Sequence, residues 1–501
     1  MKRLKWLALP LALMLVVLAG CQAVAGFDIN KALVQSLTLT SGESKQTLSI
    51  ELVPAPGASA EDLEIIKLIN SFSLTVDSGK TQDATHASIK GAVGFNGEKL
   101  PFHLSMDDEG MAVLVDGAKQ PIYIPLDYAE EGVPNMDAYM EDIQKFSTQA
   151  GEFFIKHLPN PNKISVKKVT EPVNGESVNL TNLQVELNGE ELLNLVKPFL
   201  TNVAGDEEGI KTVVGAFYDA IYPIISSEFA TDFEGEDALG TLAESKPVAV
   251  AAISAAIKSE LDGFLAKYDQ SLAELKAELP ELETVLGKDT VLKLNLYFDG
   301  NQNIRKENME LTVALPADED LPIQAVKLRT DSELWNVGGK VDIDEVDTSA
   351  GVLDLTDENV TPGQVLRSFK SDSQLYKWLK DDLQITYKYV LLDPYNDYYD
   401  VISKDNTSFV PLRYVSEELD AEIKWTQGSK QIVIIDDITG GQIVVTQGSK
   451  QASVNGSPVT LAQPVFVHED GTTYVPLRFI AESLGATVSV DEDGWITIER
   501  Q

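Results

Sequence analysis

The chain has 501 residues, 44% hydrophobic and 24% charged, a make-up that suits a globular protein of two to four domains and excludes a disordered or fibrous one. Its 78 acidic residues against 40 basic ones leave a formal charge of −38, which excludes broad nucleic-acid binding, because neutralising phosphates takes clustered Lys and Arg. A single cysteine excludes any disulfide within the chain, so folding depends on apolar cores.

The first residues carry a targeting pattern. Lys2, Arg3 and Lys5 form a basic start, and Trp6 to Val17 is apolar but shorter than the ~20 residues that span a bilayer. Leu18-Ala19-Gly20-Cys21 closes the segment. It resembles a bacterial lipoprotein signal covering residues 1–20. The resemblance implies cleavage before Cys21, a diacylglyceryl group on the Cys21 sulfur, and a place on the extracellular face of the cell membrane. Since each buried methylene contributes ~0.8 kcal/mol, two acyl chains anchor stably where one would exchange. Residues 21–27 then serve as a tether.

From residue 28 to about 350, strand patterns surround a helical stretch. Strands are expected at Ser36–Val53, Ser71–Val76, Ala87–Phe95, Leu100–Ser105, Met111–Val115, Ile122–Ile124 and Val178–Leu187. Asn96-Gly97, between two alternating runs, is a strong hairpin signal. Between Glu190 and Leu286, apolar residues recur at three- and four-residue steps, which predicts helices. Strand patterns return at Thr290–Phe298, Asn308–Leu315 and Gln324–Arg329. The fold class is therefore α+β: an antiparallel sheet with a helical insertion covering one face, the other face wet. At the level of architecture this resembles the half-open barrels of bacterial lipoproteins that hold apolar ligands.

Residues 351–384 read as a helical connector, with Pro362 at a first helical position and apolar residues continuing to about Leu383. The remainder, 385–501, contains a duplication: Thr407–Trp425, TSFVPLRYVSEELDAEIKW, and Thr472–Val490, TTYVPLRFIAESLGATVSV. Each copy predicts a strand, a helix and a hairpin, giving a small α+β module of two β-α-β-β repeats. Val410-Pro411-Leu412-Arg413 and Val475-Pro476-Leu477-Arg478 are the shared core of the repeat and are expected to be structural. Pro411 and Pro476 remove a backbone donor where each strand must stop. Arg413 and Arg478 precede Glu417 and Glu482 by four residues, which suits surface helix pairs worth ~0.2–0.5 kcal/mol. Asp420 stands where the second copy has Gly485, so the first helix is expected to end less sharply. Trp425 and Trp495 are expected in the core.

The run Gln451–Gln501, with its Val-Asn-Gly turn and the segment TYVPLRFIAESLGA, resembles the copper amine oxidase N-terminal domain-like family, also called the stalk domain. The resemblance implies a structural or surface-attachment unit of the kind common on exported proteins of Gram-positive bacteria. It does not imply copper chemistry: His86, His103, His157 and His468 show no metal-ligand spacing, and no cofactor is expected. Motifs for nucleophilic hydrolysis, phosphate loops and zinc proteolysis are absent. The expectation is a non-enzymatic, lipid-anchored surface protein. Its partners would be the membrane, through Cys21, and a cell-wall or surface polymer. The alternative is a lipid-anchored binding protein with an apolar ligand in the first region.

Overall fold

The computed structural model describes residues 24–126, 136–227, 245–317, 321–357, 360–393, 401–492 and 494–500. Cys21 and the signal segment lie outside them, as does the tyrosine-rich stretch 394–400. The fold is α+β, and the chain divides into two compact units, one of residues 1–111 and 126–345, the other of 112–125 and 346–501.

Chain order in the first unit gives β1 (Gly42–Pro54), β2 (Ser73–Thr81), β3 (Ala87–Phe95) and β4 (Glu98–Met106). The chain enters the second unit along β5 (Gly110–Val115) and returns after β6 (Ile122–Pro125). The first unit then adds β7 (Lys163–Val173), β8 (Glu176–Asn188), β9 (Val291–Phe298), β10 (Ile304–Ala314) and β11 (Ile323–Trp335). Nine strands run side by side in the order β4-β3-β2-β1-β11-β10-β9-β8-β7, each pair antiparallel. The β3–β4 hairpin turns on Asn96 (φ 52°) and Gly97 (φ 82°), the doubly left-handed geometry that favours Asn-Gly.

Helices cover the β7–β10 end. They include the expected Gly189–Gly205, Glu207–Ser227 and Lys246–Glu278, together with Ile29–Leu37 and Met136–His157, which the sequence patterns did not suggest. The strand expected to begin at Ser36 begins at Gly42 instead. Asp28 caps a helix over Ile29–Leu37, its carboxylate accepting from the Lys31 N–H at 3.0 Å. Leu187, Leu192, Leu282, Val285, Leu292 and Leu311 fill one core between helices and sheet. Ile29, Ile155, Leu183, Leu294 and Phe298 fill a second.

In the second unit, β12 (Leu353–Asp354) pairs in parallel with β6, Leu353 opposite Ile122. The connector helix Pro362–Arg367 starts with Thr361 as its cap and Pro362 in its first turn, as expected. Gln374–Lys377 runs into a π-helical turn, Trp378–Asp382. Residues 351–384 are part of this unit rather than a separate connector, and 112–125, assigned from sequence to the first region, belong to it too. Main-chain bonds explain both: the Lys119 N–H reaches the Ser368 carbonyl and the Lys370 N–H reaches the Gly117 carbonyl, each at 2.8 Å. The Asp437 carboxylate accepts from the Thr361 hydroxyl at 2.8 Å and the Gln364 amide at 3.2 Å. The helical segment is thereby fixed to the repeats.

Candidate functional site

The repeats form three sheets. β13 (Lys388–Leu392), β14 (Ile402–Lys404) and β15 (Thr407–Pro411) lead into the helix Leu412–Glu418. The hairpin β16 (Ala421–Trp425) and β17 (Gln431–Asp436) follows, extended by β18 (Gln442–Thr446), β19 (Gln451–Val454) and β20 (Ser457–Thr460). Then come β21 (Phe466–Val467), β22 (Thr473–Pro476), the helix Leu477–Ser483, β23 (Thr487–Val490) and β24 (Ile496–Arg500). The sheets are β13-β24-β23, β14-β15-β22-β21 and β16-β17-β18-β19-β20.

The two copies of Val-Pro-Leu pair with each other. In the antiparallel ladder of β15 and β22, Val410 lies opposite Val475, Phe409 opposite Pro476 and Pro411 opposite Tyr474. Because Val410 and Val475 hold equivalent places in the two copies, a local two-fold axis runs between them. Both valines are fully buried, as are Leu412, Val415 and Leu419 from one copy and Leu477, Ile480 and Leu484 from the other, all in a single core. A helix and hairpin of this size cannot enclose their own apolar faces, and the second copy supplies the missing half. Pro411 and Pro476 each end a strand and immediately precede a helix, as expected.

Asp420 (φ 51°) occupies the left-handed position that Gly485 (φ 78°) takes in the second copy. Both helices have seven residues, but the second is closed by a main-chain bond from the Ala486 N–H to the Ala481 carbonyl at 2.9 Å, whereas the first ends on the shorter-range bonds Leu419 N–H to Ser416 and Asp420 N–H to Glu417, so it ends less sharply, as expected. The strain of a non-glycine residue there is offset by an ion pair, Asp420 carboxylate to Lys388 ammonium at 2.9 Å. Sequence reasoning also missed Arg500. Its guanidinium is buried, donates to the Leu419 carbonyl, and pairs with the buried Asp436 carboxylate at 2.5 Å.

Arg413 and Arg478 lie on the surface and reach Glu417 at 2.8 Å and Glu482 at 3.5 Å. Trp425 corrects an expectation: it is 50% exposed rather than core, while Trp495 is partly buried. The Trp425 indole N–H donates to the Ser429 carbonyl at 2.9 Å, which fixes the ring across the turn. Trp425 and Arg413 border a cleft of about 410 Å³ whose wall includes Leu412 and Ile432 and whose rim includes Gln447 and Asp470. The Gln447 amide is held by the Thr473 hydroxyl at 3.2 Å. The Thr472 backbone N–H, donating at 2.8 Å, holds the Asp470 carboxyl below the usual carboxylate range. A readable signal did point here: Thr426–Lys430 recurs letter for letter as Thr446–Lys450. The two pentapeptides turn at the same end of their sheet, where Gln431 lies opposite Thr446, and so bring Trp425 and Gln447 to that end.

The histidines are dispersed in local pairings: His86 with Asp83 at 2.9 Å, His157 with Asp206 at 3.1 Å, His468 with Asp470 at 3.4 Å, and His103 with the Asp344 carbonyl at 2.8 Å. Among the described residues, no group of three or more His, Cys, Asp or Glu could hold a metal ion. Residues 397–498 match the sequence model of the family described as copper amine oxidase N-terminal domain. No curated protein matches the chain. The family name mentions copper, and this donor set does not fit a copper site.

Proposed function

We propose that the protein is a non-enzymatic, lipid-anchored component of the cell surface whose C-terminal module attaches it to a wall or surface polymer. The observation that carries this reading is the self-pairing of the repeat. The conserved-by-duplication residues Val410, Leu412, Val475 and Leu477 are spent on a shared core, and the duplicated arginines sit in exposed helix pairs, so nothing catalytic is repeated. The sequence Leu18-Ala19-Gly20-Cys21 supports the anchor. In cells fed a labelled fatty acid the unaltered protein is expected to take up the label and Cys21→Ala to take up none, since removing the thiol removes the site of acylation. An unlabelled unaltered protein, or a labelled Cys21→Ala protein, would rule out the anchor.

A second reading, an apolar ligand in the first unit, has one observation in its favour. A groove of about 840 Å³ borders Val53, Pro56, Leu315, Leu321 and Ile323, within the size range of ligand sites. Among the described residues, the packed cores between sheet and helices leave an apolar pocket of about 180 Å³ against Leu193, Phe264 and Tyr268. Native mass spectrometry of protein from its own host decides: a co-purifying lipid supports this reading, and a bare chain removes it.

A further inference from the structure

We infer that the cleft beside Trp425 binds an uncharged pyranose chain, the sugar backbone of a wall or surface polysaccharide; this rests on the attachment reading and names its ligand. A pyranose has an apolar C–H face and a rim of hydroxyls, so its site needs a flat apolar plate with donors and acceptors around it. Trp425 supplies the plate. The residue is half exposed although it is paired in the hairpin opposite Ile432, and its only polar side-chain atom is already satisfied by Ser429, which leaves the ring for stacking. Arg413, Gln447 and Asp470 supply a donor, an amide with both functions and an acceptor around one cleft of ligand size.

Charge selects among polymers. The cleft holds one cation and one carboxylate, and the chain carries −38 overall, so a polyanion gains little in the cleft and is repelled by the surface. A neutral sugar chain meets no such opposition. The second copy has Val490 where the first has Trp425, and Val490 is also exposed, so the position faces water in both halves and only one half carries the aromatic plate.

The test uses the mature chain without its anchor, residues 22–501, and a hexamer of β-1,4-linked N-acetylglucosamine, with affinity read by calorimetry. The hexamer is expected to bind, and Trp425→Ala to weaken binding about tenfold or more. Trp425→Phe should fall between, and the melting temperature should stay within about 2 °C because the lost ring is half exposed. Poly(glycerol phosphate), a polyanion, should not bind. Unchanged hexamer affinity in Trp425→Ala, no hexamer binding at all, or preference for poly(glycerol phosphate) each overturns the proposal. Sedimentation with isolated walls separates the two levels. A chain that co-sediments regardless of Trp425 loses the cleft but keeps the attachment reading, whereas one that never co-sediments loses both.

Discussion

Arg500→Ala is expected to destabilise the second unit by about 3–5 kcal/mol, lowering its melting transition by roughly 10 °C in calorimetry while that of the first unit stays in place. The side chain does two things at once in a dry environment: it neutralises Asp436 and it satisfies the carbonyl of Leu419. Truncation leaves a buried carboxylate with only neutral donors, the Ile438 N–H at 3.0 Å and the Thr439 hydroxyl at 2.6 Å. The sharper control removes both charges. Arg500→Met with Asp436→Leu should recover most of the loss, since a buried pair stabilises little relative to apolar residues of similar volume. If the single variant melts like the unaltered protein, Arg500 is not buried as described.

The second large effect concerns Leu412 and Leu477. Each is buried where the paired strands pass into a helix, and replacement by alanine should cost about 2–5 kcal/mol through lost burial and the cavity left behind. The informative part is where the loss is felt. Because Val410 pairs with Val475 and both helices share one core, Leu412→Ala should speed hydrogen exchange in residues 472–490 as well as 407–425, and Leu477→Ala should do the reverse. Acceleration confined to the altered copy would mean that the two halves are separate foldons and that the duplication is a simple tandem.

What could be read from sequence was local chemistry. Asn96-Gly97 placed a hairpin, Thr361-Pro362 placed a helix start, and Gly485 placed a helix end, because each acts within a few residues of itself. The same signal was present and passed over at Asn174-Gly175, which joins β7 to β8 with φ values of 48° and 81°. The helix at Ile29–Leu37 was announced by its cap, Asp28, and by the apolar stripe Ile29, Ala32 and Leu33, and the helix at Ala60–Asn70 by the reciprocal Ser59–Asp62 box. The partners that matter most to the module were beyond such reading. Arg500 meets Asp436 across 64 residues, and nothing near either one says so. The exposure of Trp425 depends on which strand leaves its sheet edge open, a property of topology rather than of the residues around it.

The placement of β24 has a consequence for how the module comes into being. Ile496–Arg500 lies in the middle of its sheet, between β23, which immediately precedes it, and β13, whose Lys388 waits for Arg500 roughly 110 residues further on. As the ribosome works from N- to C-terminus, Lys388–Leu392 emerges early with an unmatched edge, and no local step can cover it. Closure is therefore a late, all-or-none event, and during that delay the edge is open to pairing with a neighbouring nascent chain.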